Sequence, residues 1–436
     1  MNDSVNTIYT NSFEIIKSSK KSVNIENIQI IKYKKVILFI CFTILGFLNH
    51  LGFYLIMTSS QHFAIKLGNE NLIAFYPLAL ILFSSFSRVL NSKYFINLSY
   101  FIRLIFLSFL FFIGYISLFT ILSIKKIRKN NNLTFWLTMI PTIIVGMGES
   151  LGEVTILGYI GTFKINNYLS GWVIGGSLAG VFGSVLSLLF KKLDTNLNII
   201  YLFLSTIPIL YFFIFLFINT YGKNEKKIEN KKVFHRMHIK TKNLSSNNND
   251  DEINNNKMLN IKNFIEGFKS ARCCIINLAI LNFLQYLICY CFIERANKYK
   301  YINSKGTYFE RIQYETLLLS FEFGVVISSG LAFILRNIKY LEIFTILQII
   351  NCILWLLECI FGFILNQWIC YIYLFYIGLC GGGGNVSFLD RVINSKSISK
   401  RIKELCLNIC EFFMDWGILL SSVVSIIFDN TFLKEK

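Results

Sequence analysis

Proline is scarce, with three residues in a chain of 436, so little in the sequence would break a long helix. Acidic residues are also few: 25 Asp and Glu stand against 43 Lys and Arg, a formal charge of +18 at pH 7. Histidine occurs four times, never with the paired cysteines that a zinc site requires, so no metal is expected. The cysteines are odd in number, eleven, and sit mostly inside apolar stretches. Their closest groupings are Cys273-Cys274, Cys289/Cys291 and Cys406/Cys410. This pattern argues against a disulfide framework and reads as small apolar packing residues. There is no hydrolase elbow, phosphate-binding loop, HExxH or kinase signature, so neither an enzymatic activity nor a cofactor is expected. The polar residues 1–35 lack a short apolar core followed by a small-residue cleavage site, and no signal peptide is read there.

What the chain has in abundance is apolar length. It is 54% hydrophobic with a mean hydropathy of +0.54, and phenylalanine alone contributes 43 residues. Repeated apolar runs of about 20 residues fit helices that cross a bilayer. The runs fall at 36–58, 72–90, 97–124, 133–160, 168–190, 197–219, 271–294, 313–335, 339–362, 367–389 and 404–428. The expected fold is therefore an all-α polytopic membrane protein with about 11 transmembrane helices. The excess of Lys and Arg lies mainly in the tails and loops between runs, as the positive-inside rule requires, so nucleic acid is not a partner.

The composition changes abruptly between Tyr221 and Ser270, where Lys and Asn dominate and SSNNNDDEINNNK occurs. Such a segment cannot bury a core and reads as a disordered linker. The expected organisation is a polar tail over 1–35, a six-helix bundle over 36–220, the linker over 221–270, a five-helix bundle over 271–430 and a short tail over 431–436. Six lysines in 1–35, twelve Lys or Arg in 221–272 and five in 390–403 fall on one side of such a topology. That side is read as cytosolic, which includes the N-terminus. The cluster Lys125, Lys126, Arg128 and Lys129 dissents, as do Arg295, Lys298, Lys300, Lys305 and Arg311.

The polar residues inside the apolar runs are the candidates for function, because charge at membrane depth is costly and faces a cavity or a partner. Glu149 and Glu153 are four apart and share a helix face. They read either as a coupled pair that binds solute or protons, or as a structural pair bonded to neighbouring helices. Asn49 and His50 sit mid-helix in the first run, where a histidine serves as a proton relay or as a packing residue. Glu294, Glu322 and Asp415 are the acidic candidates of the second half, with Glu322 well inside its run. Arg88 and Arg103 flank the second and third runs and read as snorkelling to the surface. Trp172, Gly175, Gly176, Gly180 and Gly183 form a segment suited to close helix approach or gating. Gly381, Gly382, Gly383 and Gly384 weaken a helix by roughly 1 kcal/mol each relative to alanine, which points to a broken, gating helix or to a tight crossing.

These stretches together resemble the battenin family, the lysosomal or vacuolar membrane proteins linked to juvenile Batten disease. LGEVT at Leu151–Thr155, SGWVIGGSLAGVFG at Ser170–Gly183, LGFLNHLGFYLIM in the first run and GLCGGGGNVSF at Gly378–Phe388 match family segments in order, from about residue 38 to 433. The resemblance implies a fold similar to the major facilitator superfamily and residence in a lysosome, vacuole or related acidic compartment. It also implies a role in efflux of glycerophosphodiesters, or in basic amino acid and pH homeostasis. Two departures bear on substrate: Gln285 stands where the family has a glutamate, and no arginine stands near Ser328 and Ser329.

The reading is an alternating-access transporter of a small polar solute, influenced by protons, with the lipid bilayer as its surroundings. The rival is a membrane scaffold that recruits trafficking or proton-pump partners through residues 221–270.

Overall fold

The structure is a computed structural model that describes residues 2–69, 72–95, 98–124, 130–163, 167–193, 197–223, 261–293, 313–331, 340–364, 366–395, 398 and 400–431. Its helices are α1 (Asn2–Lys66), α2 (Phe75–Leu82), α3 (Ser84–Lys93), α4 (Tyr100–Ser123), α5 (Asn131–Ile160), α6 (Asn167–Lys192), α7 (Leu197–Leu204), α8 (Ile207–Tyr221), α9 (Ile261–Leu287), α10 (Gln313–Gly330), α11 (Glu342–Phe361), α12 (Gln367–Asn394) and α13 (Lys400–Asn430). Among the described residues, nine helices are long and apolar enough to cross a membrane, and a shorter apolar stretch covers Phe75–Asn91. Helix α10 completes the set, less apolar because it carries Glu315 and Glu322. Each of the eleven expected spans is largely helical over its described residues.

The differences are at breaks and ends. The second span is divided at Phe83, whose ψ of 6° leaves the helical range, and the sixth is divided between α7 and α8, with Pro208 in the first turn of α8. The tail expected over 1–35 is continuous with α1 from Asn2. The linker expected over 221–270 is bounded by helix at Tyr221 and again from Ile261, while residues 224–260 lie outside the described residues, as do 432–436. The run Gly381–Gly384 does not break α12, which is helical throughout. Tight packing explains this: Gly381 abuts Gln285, Gly382 abuts Ser328 and Val325, and Gly384 abuts Leu281 and Phe344.

Side-chain caps fix several starts. Asn130 accepts from the Leu133 amide at 3.1 Å and Asn366 from the Trp368 amide at 2.9 Å, each satisfying one orphan N–H. Helix α11 stops at Gly362, which takes a left-handed φ of 59° that an L side chain avoids. Helix α9 runs into a π-helical segment, Ile288–Phe292.

Packing divides the helices into two groups. In the first, α1 lies along α6 and α5 gathers α2, α3 and α4; in the second, α9 lies along α13 and α10 along α12. The groups meet where α6 crosses α10 and where α2 and α3 cross α13. Helices α1 and α6 run parallel, as Gly46 faces Trp172, Gly175 faces Thr43 and Phe47, and Gly183 faces Tyr54 and Leu55. Helices α6 and α10 run antiparallel, because Ser177 meets Ser329 and Lys191 meets Glu315. Large apolar side chains face outward on α4 (Phe101, Ile105, Phe109, Phe112) and α11 (Ile346, Ile350, Ile353, Ile360). Outward stripes of this kind suit acyl chains, not water.

The α1–α6 seam gives a direct test. A Cβ at Gly175 would collide with the Thr43 backbone, whereas one at Gly330 meets nothing within 4 Å. Gly175→Leu is expected to cost about 1–3 kcal/mol from overpacking, seen as a lowered unfolding temperature of purified protein in detergent, while Gly330→Ala leaves that temperature unchanged or raises it.

Candidate functional site

A cavity of about 180 Å3 lies between the two groups of helices. Its walls include His50 and Tyr54 of α1, Glu153 of α5, Trp172 and Ser177 of α6, Ser329 of α10, Asn385 and Asp390 of α12 and Glu411 of α13. Leu157, Leu169 and Ile393 also line it, near the end of α5, the start of α6 and the end of α12. The cavity therefore reaches toward the face on which α5 and α12 end and α6 and α13 begin. Among the described lining residues three are acidic, Glu153, Asp390 and Glu411, and none is Lys or Arg.

Behind this wall Arg88 gathers carboxylates from both groups. Its Nε stands 2.7 Å from Asp415 Oδ2 and its Nη2 3.1 Å from Asp415 Oδ1, a two-pronged contact from α3 to α13. The same Nη2 donates to Glu153 Oε2 at 2.8 Å and lies 3.9 Å from Glu411 Oε2. The Ser84 hydroxyl adds a hydrogen bond of 2.6 Å to Asp415 Oδ2, and Ser150 donates to the Ser84 carbonyl at 3.0 Å. The planar guanidinium fork suits this arrangement, since it presents several donors at fixed angles. One cation faces three carboxyl groups. The Glu153 side chain is 18% exposed and lines the cavity, so this cluster reaches the cavity through Glu153.

Glu149 is turned to a different partner. Its Oε1 lies 2.6 Å from His50 Nδ1, so Nδ1 carries the hydrogen and donates it. Asn49 donates from Nδ2 to the Glu149 carbonyl at 3.1 Å and accepts from Tyr211 Oη at 3.3 Å. Gly152 permits this close approach, because a Cβ there would strike the Asn49 carboxamide. Trp172 packs edge-on against the His50 ring at 5.6 Å. The two glutamates, read as a coupled pair or as a structural pair bonded to neighbouring helices, each take a partner from another helix, Glu149 taking His50 and Glu153 taking Arg88. Only His50 and Glu153 of these four line the cavity.

Glu322 of α10 is buried at 2% exposure against Gly180 of α6, and its Oε2 has no hydrogen-bond partner among the described residues. Gly176 lies beside the His50 ring, where a Cβ would meet Cδ2 and Nε2. Asp415 sits behind the wall with Arg88. Glu294 lies outside the described residues. Arg88 does not snorkel: its side chain is 4% exposed, and it joins groups 327 residues apart. A lone arginine inside a short apolar run was the available signal, since such a charge requires partners. Glu411 carried the same signal, and Asp390 resembled a helix-end charge.

A family model described as "CLN3 protein" matches residues 40–434. The chain belongs to the CLN3 protein family. It is similar to the protein named Battenin from Dictyostelium discoideum, with 24% identity over 412 residues covering 90% of this chain and 94% of the relative. Among solved structures, it resembles the D-xylose-proton symporter with a TM-score of 0.59, at 10% identity over 91% of this chain and 90% of that one. It resembles the nucleoside transporter NupG with a TM-score of 0.54, at 12% identity over 89% of this chain and 91% of that one. Those two likenesses establish a fold of the major-facilitator type for this CLN3-family member.

The Arg88 cluster sets a stability prediction. Arg88→Gln strands buried carboxylates, and loss of one member of a buried ion pair costs about 3–5 kcal/mol. Thermal unfolding in detergent is expected to show a large loss for Arg88→Gln and a smaller one for Arg88→Lys, which keeps the charge without the fork.

Proposed function

We propose that this CLN3-family protein is an alternating-access transporter of an acidic organelle, of the lysosomal or vacuolar kind, and that it carries a small cationic solute. The observation that supports this most is the acidity of the cavity wall: Glu153 from the first helical group, Asp390 and Glu411 from the second, with no Lys or Arg among the described residues that line it and Arg88 set behind. A cation placed between the groups meets carboxylates from each, so its binding depends on their separation, as rocking of two bundles about a central site requires. An anionic phosphodiester would face like charges there. Of the two solute classes that the resemblance implies, basic amino acids fit this wall and glycerophosphodiesters do not. The absence of an arginine near Ser328 and Ser329 supports the same choice.

Protons enter this reading through two elements. His50 donates to Glu149 on one side and borders the cavity on the other, which is the layout of a relay. Glu322, buried where α6 meets α10, is the proton-carrying group on the opposite helices. The basic excess of residues 1–35 and 390–403 supports a cytosolic N-terminus, so the cavity faces the cytosol.

The test is uptake into proteoliposomes under an imposed proton gradient, comparing arginine and lysine with glycerophosphodiesters. Arginine or lysine is expected to accumulate. Glu411→Gln and Glu153→Gln are each expected to lower that uptake about 10- to 100-fold, the value of a hydrogen bond to a charged group at about 1.5–3 kcal/mol. Uptake of a glycerophosphodiester with none of arginine or lysine overturns the cationic reading, and no solute flux at all overturns the transporter.

A further inference from the structure

The geometry points to a latch on the face opposite the cavity, made by Lys191 and Glu315, that holds that face shut. Lys191 lies in the last turn of α6 and Glu315 in the first turn of α10, one from each group of helices. Lys191 Nζ stands 2.6 Å from Glu315 Oε1; the glutamate side chain is fully buried and that of the lysine is 20% exposed. Ser177, which lines the cavity, lies fourteen residues earlier on α6, or roughly 21 Å along the axis at 1.5 Å per residue. The ion pair and the cavity thus occupy opposite ends of the same crossing of α6 and α10.

A second contact closes the same face at a separate place. Tyr290, inside the π-helical segment that follows α9, donates from its hydroxyl to Met57 Sδ of α1 at 3.2 Å. Ser184 of α6, four residues after Gly180 and seven before Lys191, is fully buried on the face toward α10. The α6–α10 crossing and the Tyr290–Met57 contact thus lie on this one face, and π-helical insertions are found mostly at functional positions.

An ion pair suits a reversible seal better than an apolar contact. Closed, the fully buried Glu315 carboxylate is held by the lysine, since a buried ion stripped of its partner is strongly penalised. Parted, both ends stand in the water that enters between the helices, and hydration offsets the lost attraction. Two states close in energy are what an alternating protein needs. This inference requires that the two groups move relative to each other and does not depend on which solute is carried.

The test uses the full chain in detergent with Ser184→Cys as reporter, a fully buried position on the α6 face that carries Ser177, Gly180 and Lys191 toward α10, alkylated by a polar maleimide and read by peptide mass spectrometry at position 184. With the latch intact, labelling is slow. Glu315→Gln and Lys191→Gln are each expected to accelerate it at least about tenfold, a bias of 1.4 kcal/mol. The exchanged pair Lys191→Glu with Glu315→Lys restores protection. Cys406 and Cys410, both fully buried in the second group, stay unlabelled in folded protein. Lys191→Gln carries the test if Glu315→Gln unfolds, because Lys191 is the partly exposed partner. Unchanged labelling in the folded single variants overturns the latch, as does an exchanged pair that labels as fast as they do. Because no solute is present, that outcome leaves transport untouched, and a failure of uptake leaves the latch standing.

Discussion

The bond between Arg88 and Asp415 is the constraint around which the rest of the interior is arranged. A guanidinium at membrane depth is tolerable only with partners, and here Nε and Nη2 are bonded by residues from two helical groups that the chain order places far apart. Satisfying Asp415 fixes how α3 crosses α13. Satisfying Glu153 fixes how α5 turns its acidic face, which in turn decides that one carboxylate borders the cavity and the other does not. The short helix carrying Arg88 begins just after the break at Phe83, and that break lets Ser84 reach Asp415.

Helix packing supports this electrostatic arrangement. The parallel pair α1 and α6 is drawn together by backbone contacts at Gly46, Gly175 and Gly183, so His50 and Trp172 occupy one wall in a fixed relation. On the other side the glycine run of α12 admits Gln285 and Ser328 closely without interrupting the helix. Small residues in both groups bring backbones near enough that dispersion and polar contacts replace the hydrophobic driving force that lipid does not supply.

Much of this was legible in the amino-acid order, for reasons that can be named. Apolar runs of membrane length, punctuated by basic loops, fix the number of spans and their grouping, because a bilayer leaves the backbone few alternatives. Glu149 and Glu153 were visible as interior residues from cost alone. What was hidden was pairing. Two residues four apart on one helix suggest a shared role, yet each is taken by a base from another helix, and only tertiary crossing decides which. Arg88 and Lys191 both resemble charges at a helix end, and nothing local distinguishes a snorkelling side chain from one that reaches across a seam. The continuity of α12 through four glycines was equally hidden, since neighbours that fill the space of a missing Cβ outweigh the weak intrinsic propensity.

The glycine seam between α1 and α6 makes the two helices a single stiff lever. One end of it carries Lys191, and further along its length lie Ser184, Ser177 and His50. A tilt of about 10° on an arm of roughly 21 Å, fourteen residues at 1.5 Å each, sweeps its tip by about 4 Å. That stroke exceeds the length of any hydrogen bond across the α6–α10 crossing. Rigid-body rotation of this plank would break those contacts in unison, whereas bending would break them one by one.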